Sequence, residues 1–280
     1  MVSNDHLMER LVLKGGNALD LIYHIASRSS IDLDFSICDD FTVDELKNLE
    51  GIIISSITIT FNEAHFKAFD ISFQERPRNR HDGMPDFWGG YRIEFKVIEN
   101  ERYERFKHDI GTLRRNALTI DEVHHRKIEI DISKFEYCGA RRETEIDGYK
   151  MYVYPLEMIL VEKLRAICQQ MPDYTKYIGK TSTPRARDFF DIYTIGEHSP
   201  FDCATEDHKS LIKTIFEIKK VPLALLGKIQ EYREFHRQDF PAVQQTAGGK
   251  VEKFEFYFDY VVKLCDRISH SLGIMETPSL

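Results

Sequence analysis

The sequence lacks the long apolar run, about 18 residues, that a membrane-spanning helix needs. Its first residues, MVSNDHLMER, carry acidic side chains and no apolar signal segment. It also lacks a C-x-x-C pair, and its five cysteines are scattered along the chain. An odd and scattered set argues against a disulfide framework and against a structural zinc site. We therefore expect a cytoplasmic protein that does not insert into membranes.

An excess of positive charge is also missing, since the formal net charge is −8 and 30% of the residues are charged. This argues against non-specific binding of nucleic acid by the whole surface, so a polyanion would have to meet a local basic face. Repeats and low-complexity segments are absent from the sequence. The 280 residues, 42% of them hydrophobic, suffice for the core of one or two domains.

Periodicity predicts mixed structure in the first half of the chain. A helix is expected from Asn17 to Ala26, followed by a strand in SIDLDFSI and a short helix over Thr42–Leu49. Alternating β-branched and aromatic residues predict antiparallel strands over 51–73 and 89–99. A helix over 100–116 and a strand in HRKIEIDISKF follow.

Beyond YVYPLE the pattern is helical. The predicted helices are Pro155–Cys168, Arg185–Ile195, Asp207–Phe216, Leu223–Phe235 and Phe254–Leu272. The polar segment QQMPDYTKYIGKTSTP, which contains prolines and a glycine, predicts a loop. The expected fold class is therefore α+β, with a mixed or antiparallel sheet in an N-terminal lobe (1–150) and a helical C-terminal lobe (151–280).

Two aspartates one residue apart, Asp32 and Asp34, occupy polar positions of the predicted strand SIDLDFSI. Because side chains alternate along a strand, both emerge on one face and can share a cation, while Ile31 points the other way. A hard cation such as Mg²⁺, completed by substrate phosphates, would remove their mutual repulsion. The strand KIEIDIS offers a third carboxylate for a second metal and for activating an acceptor hydroxyl, and we favour Asp131 over Glu129. A D-x-D pair alone is also typical of a solvated strand face.

A glycine doublet, Gly15 and Gly16, precedes the first predicted helix. Unpaired backbone N–H groups at a helix start favour a phosphate, and absent side chains let it approach closely. Lys14 and Asn17 can assist there. By itself the doublet is typical of a tight turn. Together with the paired aspartates it puts phosphate donors and metal ligands at adjacent ends of one strand–helix–strand unit, which predicts a metal–nucleotide site.

Four segments carry a family resemblance: KGGNALDLIY, SRSSIDLDF, EMILVEKLRA and RARDFFDIY, in this order between residues 10 and 195. They resemble the AbiEii/AbiGii-type nucleotidyltransferases, toxins of bacterial toxin–antitoxin and phage-defence (abortive infection) systems in the DNA polymerase β-like superfamily. The resemblance implies a nucleotidyltransferase fold for the N-terminal lobe and Mg²⁺- or Mn²⁺-dependent transfer of a nucleotide from a nucleoside triphosphate. It further implies an RNA acceptor, in particular the 3′ end of tRNA, and an AbiEi-like winged-helix antitoxin as partner.

The resemblance also implies roles for single residues. Lys163 would bind phosphates, and Arg185, Arg187 and Asp188 stand where the family has its R-x-K-D motif. Arg187 replaces the usual lysine, and the two side chains are not interchangeable. Asn17 stands where the family usually has threonine or serine. The candidate catalytic residues are Asp32, Asp34, Asp131, Lys163, Arg187 and Asp188, and the candidate phosphate-binding residues are Lys14, Gly15, Gly16, Asn17, Lys163, Arg185 and Arg187. The candidate metal ligands are Asp32, Asp34 and Asp131.

A local basic excess accompanies these motifs. Between positions 163 and 188 there are only two acidic residues, Asp173 and Asp188, and the basic residues are Lys163, Arg165, Lys176, Lys180, Arg185 and Arg187. This segment can face a triphosphate and the end of an RNA strand. Trp88, in a Gly/Pro-rich loop, can stack on a base or cover the sheet. Arg185 and Asp188 are also spaced for an ordinary ion pair along a helix.

Other functions stay open at this point. One is a non-catalytic nucleotide- or partner-binding module with the same fold, and another is a small-molecule nucleotidyltransferase of the antibiotic-modifying kind. A protein acceptor is a third alternative. The paired aspartates argue against a pure binding module, which needs no metals, and the basic loop around Lys176 and Lys180 favours a polyanionic acceptor over a small molecule.

Overall fold

The computed structural model describes residues 4–25, 32–78, 83–120 and 124–274. The strands are β1 (Val12–Lys14), β2 (Leu33–Ser36), β3 (Phe66–Arg76), β4 (Gly90–Glu99), β5 (Ile128–Ser133), β6 (Arg142–Ile146) and β7 (Tyr149–Val153). They form one seven-stranded sheet in the order β3-β4-β5-β2-β1-β7-β6. Because β2 pairs parallel with β5 and β1 parallel with β7, while the other pairs are antiparallel, the sheet is mixed. The predicted fold class is confirmed.

Helices cover the sheet and make up most of the chain after β7. They are α1 (Asp5–Arg10), α2 (Gly15–Leu21), α3 (Val43–Glu63), α4 (Asn100–Phe106), α5 (Ile110–Asn116), α6 (Leu156–Cys168), α7 (Pro172–Ile178), α8 (Ala186–His198), α9 (Glu206–Ile218), α10 (Arg233–Arg237), α11 (Phe240–Thr246) and α12 (Phe254–Ser271). A 3₁₀ helix, Leu223–Tyr232, separates α9 from α10, so the helix predicted over 223–235 is only partly α-helical. The helix predicted over Asn17–Ala26 is shorter than expected, because α2 ends at Leu21 and residues 22–25 are not helical. Ala26 and Ile31 lie outside the described residues.

The strand predicted from residue 51 is wrong in its first part, because α3 continues to Glu63. The helix begins with a capping box between Thr42 and Glu45. Its buried residues Leu49, Ile53 and Ile57 recur every four positions, which places them on one helical face. The β-branched residues therefore misled the prediction: side-chain packing along that face outweighs their weak intrinsic preference for strands.

Three further predictions need correction. The helix over 100–116 is interrupted after α4, and Asp109 caps α5 by accepting a hydrogen bond from the backbone N–H of Thr112 at 3.0 Å. The predicted loop over 169–184 contains α7, which has a proline in its first turn. The hairpin of β6 and β7 was missed, although its Asp147–Gly148 turn, with φ of +50° and +81°, is a known hairpin signal.

The buried apolar residues form one main cluster that runs from Leu7 to Ile268 and joins the sheet to the C-terminal helices. A smaller cluster packs β3 and β4 against α5. Residue 150 falls inside β7, and a division into domains 1–150 and 151–280 stays a prediction. In the part of the chain that the structure describes, no helix is long and apolar enough to cross a membrane.

Candidate active site

The glycine doublet and the paired aspartates meet at the centre of the sheet. β1 pairs antiparallel with β2, and this register sets Lys14 opposite Asp34. The doublet opens α2 and does not precede it, and Gly15 has a left-handed φ of +69°. A Cβ atom at this position would lie 2.7 Å from Oδ2 of Asp34. Only glycine therefore allows the backbone to pass this close to the carboxylate.

Replacing Gly15 with alanine should displace Asp34 and reduce nucleotide transfer by about 100-fold, the usual consequence of moving a catalytic group by about 1 Å. The left-handed backbone alone should cost about 1–2 kcal/mol of stability. Gly148→Ala is the matched control, since Gly148 has a φ of +81° and nothing within 4 Å of the added Cβ. The control should lose stability but keep full activity in a labelled-nucleotide assay. Wild-type activity of Gly15→Ala would contradict the contact with Asp34.

Three candidate carboxylates lie side by side. Asp34 pairs in parallel register with Asp131 of β5, and Asp32 immediately precedes β2. Both oxygens of Asp131 accept hydrogen bonds from Arg92, each at 2.7 Å, and Arg92 also binds Glu129 at 2.6 Å. Among the described residues, by contrast, no group forms a hydrogen bond or ion pair with the carboxylates of Asp32 and Asp34. The sheet thus holds a neutralised carboxylate beside two unpaired ones.

The electrostatics of the unpaired carboxylates favour a cation. Burial raises the pKa of Asp34 to about 6, and the neighbouring Asp131 adds to this shift, while Lys14 opposes it. Burial and the negative charges of Glu129 and Asp131 also raise the pKa of Asp32. Within the described ranges, no group of three or more histidine, cysteine or acidic side chains is arranged to hold a metal. Mg²⁺ commonly binds through one or two carboxylates plus substrate phosphates, so the pair of Asp32 and Asp34 fits it.

Most of the predicted phosphate-binding cations are already paired. Nζ of Lys14 lies 2.6 Å from Oε1 of Glu162, and Nζ of Lys163 lies 3.0 Å from Oδ1 of Asp188 and 2.7 Å from Oδ2 of Asp191. These lysines are buried. Both lysines therefore place positive charge next to the site, but their ammonium groups already bind acidic side chains.

The segment RARD (185–188), at the position of the family's R-x-K-D motif, contains both a paired and an exposed arginine. Arg185 binds Asp188 through Nε, as the ion-pair alternative predicts. Burial alone would raise the pKa of Asp188, but the pairing with Arg185 and Lys163 holds this pKa well below its usual range. Arg187 is exposed and lines the same cavity, and no acidic side chain among the described residues pairs with it. The side-chain amide of Asn17 donates a hydrogen bond to the backbone oxygen of Asp32 at 2.6 Å. Asn17 therefore acts mainly within the fold and not as a phosphate ligand.

A cavity of about 1000 Å³ joins these groups. Gly15, Gly16 and the three carboxylates form one part of its lining, and Trp88 and Lys180 form another. This volume is at the upper end of the range of roughly 300–1000 Å³ that is usual for ligand pockets. The cavity combines paired carboxylates with a cationic side chain, which suits a phosphorylated ligand and its metal.

The sequence model of the nucleotidyl transferase AbiEii toxins, described as a type IV toxin–antitoxin system, matches residues 2–260. This chain belongs to that family. The predicted family is confirmed, and membership supports a transferase function for the chain. No curated protein matches the chain.

Several solved structures also match the AbiEii-family chain. A candidate nucleotidyltransferase from H. pylori has a TM-score of 0.46 and 18% identity and covers 97% of this chain and 92% of its own. JHP933 from Helicobacter pylori has a TM-score of 0.45, 18% identity and the same coverage, 97% and 92%. An antigenic nucleotidyltransferase-like protein from Paracoccidioides brasiliensis has a TM-score of 0.34 and 13% identity, with 78% and 88% of the two chains covered.

A second buried charge network was not predicted from the AbiEii-family sequence. Arg165 contacts Glu136 at 2.8 Å and Glu162 at 3.3 Å, and Lys219 contacts Glu136 at 3.3 Å. Through Glu162 the network reaches Lys14. The sequence did contain one signal for this network, the run of charges VEKLRA in an otherwise apolar helix. Charged residues are almost never buried unless they are paired, so this run indicates buried ion pairs. The sequence around Lys219, by contrast, contains no signal that this lysine joins the buried charge network.

His236 anchors the start of α8, because its Nδ1 accepts a hydrogen bond from the backbone N–H of Arg185 at 3.1 Å. The residue is fully buried, and burial lowers its pKa to about 4. The unfolded chain binds a proton near pH 6.5, so wild-type stability should fall as the pH drops from 6.5 toward 4. The loss between pH 7 and pH 5 should be about 2 kcal/mol from this residue.

Denaturant unfolding at both pH values measures this dependence. His236→Leu should be less stable than the wild type at pH 7, because the N–H of Arg185 loses its acceptor, but it should show the smaller change between pH 7 and pH 5. Equal changes in the two proteins would contradict the assignment of His236 as a buried neutral group.

Proposed function

We propose that this protein is a cytoplasmic, Mg²⁺- or Mn²⁺-dependent toxin that transfers a nucleoside monophosphate from a nucleoside triphosphate to an RNA acceptor, the 3′ end of tRNA. The observation that carries the proposal is the pair of carboxylates, Asp32 and Asp34, that lack partners among the described residues. Asp34 also lies against Gly15 and pairs in register with Asp131. A protein that only binds a partner gains nothing from uncompensated carboxylates in a cavity.

Asp32 and Asp34 would hold the metal, which when bound neutralises phosphate charge and polarises the phosphoryl group that is transferred. The backbone of Gly15 and Gly16 leaves room for the triphosphate, because neither residue has a side chain. Arg187 pairs with no acidic side chain among the described residues, so it would contact the phosphates directly. Lys14, Lys163 and Arg185 would contribute positive charge beside the phosphates while still bound to their acidic partners.

In the reaction, an oxygen of the acceptor hydroxyl bonds to the α-phosphorus and the bond to the leaving pyrophosphate breaks. The hydroxyl proton would pass to Asp131. Each oxygen of this carboxylate accepts one hydrogen bond from Arg92 and keeps a further lone pair for a proton. Glu129 is the alternative base. Asp188 would not take part in proton transfer, since it is engaged by Arg185 and Lys163, and we assign it the positioning of these cations.

The family description as a toxin–antitoxin system supports a protein partner. We propose an AbiEi-like winged-helix antitoxin, encoded next to this gene, as that partner. Blocking the 3′ end of tRNA would prevent its charging and stop translation, which accounts for toxicity. Co-expression of the neighbouring gene should then relieve the growth arrest that the toxin causes.

The test is incubation of the purified protein with Mg²⁺, each α-³²P-labelled nucleoside triphosphate in turn and total cellular RNA, with Asp34→Ala as the inactive comparison. Label in a tRNA-sized band with the wild type only is the expected result, and it identifies the base. Label in a protein band would contradict the RNA acceptor and leave the transferase site intact. No transfer to RNA, protein or small molecules would overturn the proposal in favour of a non-catalytic binding module.

A further inference from the structure

Aromatic rings and lysines alternate at one end of the cavity. Nζ of Lys180 lies 5.4 Å from the centre of the Trp88 ring, and Nζ of Lys220 lies 5.7 Å from that of Phe87. Tyr177 is half exposed nearby. We call these five residues the aromatic–lysine patch. In the part of the chain that the structure describes, no acidic side chain forms a salt bridge with either lysine.

A buried tyrosine holds the patch in place. The ring of Tyr174 packs against Trp88 at 6.3 Å and against Tyr177 at 6.2 Å. Its hydroxyl donates a hydrogen bond to the backbone oxygen of Lys219 at 2.7 Å, and Nζ of Lys219 donates to the backbone oxygen of Phe87 at 2.9 Å. The two aromatic segments, which are 90 residues apart, are thus joined through α7 and the end of α9. Such bracing keeps ring positions constant, which a stacking surface requires.

The patch is larger than a bound nucleotide needs. Trp88 and Lys180 line the cavity that contains the carboxylates, whereas Phe87, Tyr177 and Lys220 lie outside its lining. A ligand that contacts all of them must extend from the reacting centre to the surface. Single-stranded nucleic acid has this form, since its bases stack on aromatic side chains and its phosphates pair with lysines.

We propose that the aromatic–lysine patch binds the unpaired 3′ end of the nucleic-acid acceptor and directs its terminal hydroxyl toward Asp34 and Asp131. This inference rests on the proposed function for the identity of the acceptor. Bases stack on Trp88 and Tyr177, and phosphates pair with Lys180 and Lys220. The lysine side chains are flexible, so Lys180 can leave the face of the indole when a base stacks there.

Trp88 is the only tryptophan of the sequence, so its fluorescence reports on the patch without any mutation. The experiment titrates the protein with an eight-nucleotide single-stranded RNA in the absence of nucleoside triphosphate and metal. The tryptophan emission should be quenched to saturation, both in the wild type and in the transfer-deficient Asp34→Asn. Anisotropy of the same RNA with a 5′ fluorescein measures the affinity independently.

Two variants test the residue assignments. Lys180→Ala/Lys220→Ala should weaken RNA binding and lower the slope of log affinity against log salt by about 1.4, since each phosphate contact of a single strand contributes about 0.7. Tyr177→Leu should weaken binding about 10-fold through loss of one stacked base. The control Lys213→Ala/Lys263→Ala removes two exposed lysines of α9 and α12 that form no salt bridge with any described residue, and it should bind like the wild type.

The outcomes separate this inference from the proposed function. Unchanged binding by the patch variants, or quenching by a nucleoside triphosphate but not by RNA, would overturn the patch even if the protein transfers nucleotides. If a fully paired RNA duplex competes for binding as well as single-stranded RNA does, the proposed preference for an unpaired 3′ end is wrong. Quenching and variant effects as expected, in a protein that transfers no nucleotide, would support the patch and contradict the proposed function.

Discussion

Replacing Asp34 with asparagine should abolish nucleotide transfer and leave the protein at least as stable as the wild type. Losing one carboxylate removes a metal ligand, and the several kcal/mol of charge stabilisation that a metal supplies correspond to about 10³-fold in rate. The stability expectation has a separate cause. At pH 7 the Asp34 carboxylate is charged, half-buried and unpaired among the described residues, which costs the folded state free energy.

The size of that cost follows from its pKa, which burial raises from 3.8 to about 6. Each pKa unit corresponds to about 1.4 kcal/mol, so Asp34→Asn should raise the free energy of unfolding by about 1–3 kcal/mol at pH 7. The cost is fully present above pH 6 and disappears as the pH falls below 3.8. Added Mg²⁺ should reduce the difference by stabilising only the wild type.

Denaturant unfolding and the labelled-nucleotide assay together check this prediction. Asp147→Asn is a suitable control, because Asp147 occupies the exposed hairpin turn with a φ of +50°, a conformation that asparagine tolerates well. The control should match the wild type in both assays. An Asp34→Asn protein that is inactive because it unfolds would contradict the prediction, as would one that keeps its activity.

Replacing Lys163 with methionine should cause the largest loss of stability, about 3–5 kcal/mol, together with loss of transfer. The ammonium group neutralises Asp188 and Asp191, both less than 5% exposed. Removing it leaves Asp191 without this partner in a buried environment, whereas Asp188 keeps Arg185. Activity and stability are thus lost together in the single variant, which cannot separate a structural role from a role in phosphate binding.

A double-mutant cycle with Asp191→Asn separates the two roles. Lys163→Met/Asp191→Asn replaces a buried ion pair by neutral groups, so it should recover about 1–3 kcal/mol relative to Lys163→Met alone. If Lys163 supplies charge to the phosphates, the double variant folds but stays inactive, while Asp191→Asn alone remains active. Wild-type transfer by the double variant would show that Lys163 is only a structural residue.

Short-range regularities of the sequence predicted two central strands, β2 and β5, and the positions of their carboxylates. Alternation in SIDLDFSI and KIEIDIS identified β2 and β5, and it put Asp34 and Asp131 on polar positions. That these two residues lie in register on adjacent parallel strands depends on the strand order, which the local pattern does not contain. The same limit explains the error over α3, where β-branched residues form a helix because their spacing fits a buried face.

The partners of the charged residues were the least predictable feature. The family resemblance implied that Lys163 binds phosphates, and the strand pattern suggested Asp131 as the third carboxylate of the metal site. It could not reveal that Lys163 is engaged by residues of α8 or that Arg92 of β4 covers Asp131, because these pairs are 25 to 39 positions apart in the chain.

The sequence by itself determined the chemical groups and their local arrangement: the glycine doublet, the paired aspartates and the helical spacing of the later segments. Periodicity and covalent spacing specify these features, because they act within one strand or one helical turn. The tertiary structure alone decided which charges are free. Asp32, Asp34 and Arg187 remain without partners in the described part of the chain, whereas Lys14 and Lys163 are neutralised. An ion pair depends on distance in space, and packing between distant segments brings the buried charges together.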